Sequence, residues 1–68
     1  MLNRTLLSEN KDDFLYLFEL QKSGRTNMFG ASVLLQAERG LDRYKSREIL
    51  VEWMNNYEEI AKELGVDI

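Results

Sequence analysis

The apolar positions of this chain fall into three stretches of helical repeat, punctuated by glycine. In the first, Phe14, Leu17 and Phe18 recur at three- and four-residue steps and share a face, which Leu15 and Leu20 widen. Ser8 and Asn10 are competent N-caps, Asp12 and Asp13 place negative charge in the first turn, and Lys22 and Gly24 mark the far end. The pattern predicts a helix over about residues 9–22. So broad a stripe needs cover from more than one neighbour.

In the second stretch Met28, Ala31, Leu34 and Leu35 form a stripe with Val33 on its flank, predicting a helix over about 27–39 capped by Thr26 or Asn27. Gly40 followed by Leu41 resembles a left-handed cap whose next apolar residue folds back on the last turns, with Leu35 as its natural contact. Asp42 then caps a third helix, about 43–64, in which Leu50, Trp53, Tyr57, Ile60 and Leu64 repeat at alternating three- and four-residue steps. Ile49, Met54 and Ala61 broaden that seam, and Gly65-Val66 ends it as Gly40-Leu41 ends the second. At about 1.5 Å per residue the third helix would be about 33 Å long. The second helix is too short to cover it. Either the first helix lies along the seam or a second copy of the chain does.

Together these elements predict an all-α fold, a compact three-helix domain with the long C-terminal helix as its spine. The 68 residues read as a single helical domain, with residues 1–8 as a flexible or loosely packed N-terminal arm. The stretch "SGRTNMFGA" then reads as a rigid hinge. Ser23 and Gly24 end the first helix, Met28 and Phe29 anchor the second, and Gly30 and Ala31 leave room for a bulky neighbour, with Trp53 the candidate. A second reading stays open, in which the free backbone N–H groups of this cap bind an anion beside Arg25.

Composition narrows the picture. With 44% hydrophobic and 31% charged residues and no proline, the chain is that of a folded, helix-rich protein. There is no Cys and no His, hence no disulfide and no zinc site, and a core this small relies on good helix packing or on oligomerisation. No apolar run approaches the roughly 20 residues that span a bilayer. The N-terminal residues lack a signal-peptide core, so the expected location is the cytoplasm.

Charge is unevenly placed. Residues 1–22 carry a net −1, residues 23–47 a net +3 and residues 48–68 a net −5, so a basic middle precedes an acidic tail. Solvated helix faces would account for this, and so would complementary self-association or a partner surface.

Catalysis finds little support. No Ser lies in a nucleophile motif, and the adjacent pairs Asp12-Asp13 and Glu58-Glu59 point in different directions on their helices. No acidic loop of calcium-binding spacing occurs. The expectation is a non-enzyme with no catalytic residue, no metal, no cofactor and no small-molecule substrate.

Two binding readings remain. The break "GLD" between the second and third helices has helix-turn-helix connectivity, with Arg39, Arg43, Lys45 and Arg47 around it as candidate phosphate contacts. Against it, Gln36 stands where a small residue is usual, Ser46 stands where an apolar one packs the recognition helix, and Glu48 and Glu52 follow. The overall acidity of the chain also weakens attraction to phosphate. The preferred reading is an interaction module. Trp53, Met54, Tyr57, Ile60 and Leu64 are the interface candidates, with self-association into a homodimer through the seam.

The block "SGRTNMFGASVLLQAERGLDRYKSREILVEWMNNY" resembles a group of small uncharacterised proteins encoded by tailed bacteriophages and prophages. Their pattern runs small-Gly-x-Thr-Asn-Met-Phe-Gly-Ala, then an apolar helix, a short break and (A/S)-R-x-(I/L)-L-x-x-W-M. Here it falls on Gly24, Thr26, Asn27, Met28, Phe29, Gly30 and Ala31, then on Ser46, Arg47, Ile49, Leu50, Trp53 and Met54. The resemblance covers Ser23 to Tyr57, about half the chain, and implies a phage origin without a mechanism. The charged "ERG" before the break and the acidic tail depart from it, and neither favours nucleic acid.

Overall fold

A computed structural model of the chain describes residues 2–24 and 30–67. The described residues are helical throughout, without a strand. The fold class is therefore all-α, but among the described residues the α-helices number five rather than three: α1 (Arg4–Glu9), α2 (Lys11–Ser23), α3 (Ala31–Arg39), α4 (Arg43–Asn55) and α5 (Tyr57–Leu64). Thr26, Asn27, Met28 and Phe29, the expected cap and anchors of the second helix, lie outside the described residues. Gly30 immediately precedes α3.

The N-terminal residues are the first correction. Residues 1–8 were expected as a loose arm; instead Asn3 caps α1, its side-chain oxygen accepting from the Leu6 N–H at 3.0 Å. Leu2, Leu6 and Leu7 are buried in the core. Two apolar pairs looked too short to signal a helix, yet α1 needs only one turn of leucines because the rest of the protein supplies the other wall. The Asn3 N–H donates to Glu52 Oε2 at 2.8 Å, and Arg4 pairs with Glu63 at 2.8 Å, tying α1 to α4 and α5.

The second correction concerns the third helix, which is broken at Asn56. There the backbone turns to φ −129°, ψ 33°, while the N–H still donates to the Glu52 carbonyl. The Asn56 side-chain amide donates to that same carbonyl at 3.3 Å and to Glu52 Oε2 at 2.9 Å. An Asn side chain that competes for backbone groups loosens a helix where it stands. Asn10, between α1 and α2, repeats the device at φ −126°, ψ 32°, its amide donating to the Leu6 carbonyl at 3.0 Å. The break also has a spatial reason. A straight helix of about 33 Å would overrun a body whose longest extent is 26 Å.

The spine is accordingly α2 and not the C-terminal helix. It packs against each of the other four helices. Phe14, Leu17, Phe18 and Leu20 are buried on it, and Leu15 is half-buried. Asn10 precedes α2 without a side-chain cap bond and Ser8 lies within α1, whereas the caps at Gly40, Asp42 and Gly65 follow expectation. The Asp42 carboxylate accepts from the Lys45 N–H, and Gly40, at φ 68°, lets the Leu41 N–H reach back to the Leu35 carbonyl. Gly65 ends α5 in the same left-handed way, with the Val66 N–H on the Ala61 carbonyl.

Candidate functional site

The seam residues separate once packing is seen. Trp53 and Ile60 are buried, Tyr57 and Leu64 are half-buried against the core, and only Met54 is exposed. Phe18 of α2 receives the aromatic pair: its ring centroid lies 5.4 Å from Trp53 and 5.3 Å from Tyr57, and Trp53 and Tyr57 meet edge to face at 5.0 Å. The Tyr57 hydroxyl donates to Gln21 Oε1 at 2.5 Å. Of the two covers foreseen for the seam, the intramolecular one is realised. Trp53 and Ile60, two of the expected interface residues, are 2% and 0% exposed and have no surface left to offer a second copy.

The basic cluster separates as well. Arg39 Nε lies 2.9 Å from Asp13 Oδ1, and Asp13 is buried, so this pair latches α3 to α2. The hydrogen bond that Arg39 donates to Asp13, together with the charge of that carboxylate, raises the Arg39 guanidinium above its ordinary pKa against the effect of burial. Lys45 pairs with Glu48 at 3.3 Å along the same helix. Arg43 and Arg47 are exposed and make no ion pair among the described residues. Ser46, placed where an apolar residue was wanted, is fully buried, and its hydroxyl is satisfied by the Arg43 carbonyl at 3.0 Å. A small side chain with a local hydrogen bond fills that position without polar cost.

What remains on the outside is a second stripe that the seam had hidden. Tyr44, Arg47, Val51 and Met54 follow one another at steps of three, four and three, on the side of α4 opposite Ile49 and Trp53. Tyr44 is 91% exposed, Val51 48% and Met54 47%; Val33 of α3, at 63%, completes the exposed large apolar side chains among the described residues. Val33, Val51, Met54 and the edge of the buried Leu50 border a groove of about 360 Å³ between α3 and α4, with Arg43 and Arg47 on its rim. Past Met54 the surface continues into a shallow concavity of about 560 Å³ bordered by Tyr57, Glu58 and Glu59. Met54 belongs to both hollows, so the surface is continuous.

Sequence reasoning missed Tyr44 and Val51, and it treated Val33 as a flank. Their periodicity was legible, but two stripes of the same period on one helix cannot be ranked without knowing where the neighbours lie. Among the described residues no cluster of carboxylates is arranged to hold a metal ion, and no helix is long and apolar enough to cross a membrane. Comparison with protein-family models, curated proteins and solved structures finds no match for the chain.

Proposed function

We propose that the chain is a non-enzymatic helical module that acts through protein contacts, with the outer face of α3 and α4 as its docking surface. The observation that carries this reading is the grouping of Val33, Val51 and Met54 around one groove, rimmed by Arg43 and Arg47, which form no ion pair among the described residues. Single exposed apolar residues are ordinary, whereas a contiguous group with a charged rim has the make-up of an interface. The resemblance of the central block supports reading the chain as a phage accessory factor, with the host cytoplasm as its proposed location.

Recognition of duplex DNA is the second reading. It is favoured by Arg43, Tyr44 and Arg47, which are exposed on the first turns of α4, directly after the turn that joins it to α3. It is disfavoured by the engagement of Arg39 and Lys45 with carboxylates, and by Val51 and Met54, which offer a phosphate nothing.

The test compares the wild-type chain with Val51→Glu/Met54→Glu in co-purification from producing cells and in a gel shift on duplex DNA at low salt. A bound protein retained by the wild type and lost by the variant is expected. Equal retention by both chains, or a DNA shift abolished by Arg43→Glu/Arg47→Glu, overturns the proposal.

A further inference from the structure

We infer that the occupant of the α3–α4 groove is an acidic amphipathic helix of a partner protein, with carboxylates one turn apart facing Arg43 and Arg47. The inference rests on the reading of the α3–α4 face as a docking surface and adds the chemistry of what docks there.

Charge in the groove has one sign. Among the described residues that border it, the charged side chains are Arg43 and Arg47, and neither forms an ion pair with a described residue. Their neighbours on α4, Glu48 and Glu52, border a separate hollow beside Tyr44. Both acids already have partners within the chain: Glu48 meets Lys45, and Glu52 accepts from the Asn3 N–H and the Asn56 amide. The concavity beyond Met54, where Glu58 and Glu59 adjoin Lys62, is of mixed charge and selects no partner by sign. The groove itself favours an anion, and its Val33, Leu50, Val51 and Met54 require that this anion also bring apolar side chains. A phosphate backbone meets the first demand and fails the second.

Geometry narrows the class. The described residues contain no strand, so the face has no sheet edge for an extended peptide to join. A furrow between two packed helices is instead the seat that a third helix takes. Arg43 and Arg47 are four residues apart on α4, hence one turn apart on one side of it. Carboxylates at the same spacing on a facing helix reach both guanidinium groups at once. From Arg43 to Met54 the groove follows α4 for about 16 Å, or about three turns. The partner helix thus presents two acids on adjacent turns and apolar residues on the rest of the same face. The acidic helices of this chain are poor candidates, because α2 and α5 bury Phe14, Leu17, Ile60 and Ala61 in the core. The apolar end of the groove supplies affinity, while the arginines choose the partner.

The test is selection of a displayed library of random peptides, about 15 residues long, on the folded wild-type chain. Enriched peptides are expected to carry acids three or four residues apart, with apolar residues continuing the same helical face. A synthetic copy of the commonest one is expected to gain helical circular dichroism on binding. It should bind Arg43→Glu/Arg47→Glu at least about tenfold more weakly, and changing its two acids to lysine should restore binding to that variant. Peptides that are basic or neutral, or that ignore the arginine reversal yet are lost in Val51→Glu/Met54→Glu, overturn the acidic partner while supporting the face. Acids two residues apart without a gain of helix overturn the helical form of the occupant. Binding indifferent to Val51→Glu/Met54→Glu overturns the face as well. An empty selection overturns the helical partner and leaves the face to be judged by the co-purification above. A wild-type dimer in sedimentation that Val51→Glu/Met54→Glu abolishes gives the groove to a second copy, which also overturns the inference.

Discussion

The two faces of α4 carry similar side chains and have opposite roles. Inward, Ser46, Ile49, Leu50 and Trp53 are between 0% and 8% exposed. Outward, Val51 and Met54 are about half exposed and Tyr44 almost wholly so. Val51 is no less apolar than Leu50, its neighbour in sequence. What separates them is direction: α2 and α3 close over one side, and no described helix covers the other. Similar apolar side chains on one helix therefore have different fates here, covered on one side and half exposed or more on the other.

Substitutions can break that contrast if it is wrong. Trp53→Ala should do the most damage, about 3–5 kcal/mol, enough to consume most of the stability of so small a domain; thermal unfolding followed by circular dichroism would measure it. Trp53→Phe should cost much less, because the stack on Phe18 survives and the indole N–H, which meets no acceptor among the described residues, is removed. Next comes Glu52→Ala. Its carboxylate holds both the Asn3 N–H and the Asn56 amide, so its loss should cost about 1–2 kcal/mol and raise hydrogen exchange in α1 first.

Gly40→Ala should cost about 1 kcal/mol. The added methyl meets nothing within 4 Å, so the penalty is that of the left-handed backbone alone, readable as a shifted denaturant midpoint. Smallest is Val51→Ser/Met54→Ser, which should change stability by less than about 0.5 kcal/mol while reducing association. If chemical denaturation showed the outer pair to matter as much as Trp53, the outer face would be core and the contrast would fail.

Local signals proved the most legible. Asp42 and Gly40 act as the one-dimensional pattern says, because a cap is a contact between residues a few positions apart. The buried stripe of α2 was readable for the same reason: Phe14, Leu17 and Phe18 share a face whatever lies opposite. Legibility failed where a residue answers to a distant one. Leu6 and Leu7 gave too little periodicity to announce a helix, and their burial depends on walls built by the rest of the fold. Asn56 sits within an unbroken heptad pattern, and its side chain is held by the Glu52 carboxylate that also accepts from the Asn3 N–H, 49 residues away.

The candidate site shows the same division. Sequence alone determined the helical class, the C-terminal ends of α2, α3 and α5, the basic middle and the acidic tail, since each depends on composition or near neighbours. Tertiary structure decided that Trp53 and Ile60 belong to the core, that Arg39 serves Asp13, and that Tyr44, Arg47, Val51 and Met54 face outward. The physical reason is that helical periodicity says which residues share a face and never which way that face points. Orientation comes from the packing of α2 against every other helix, a property of the assembled chain.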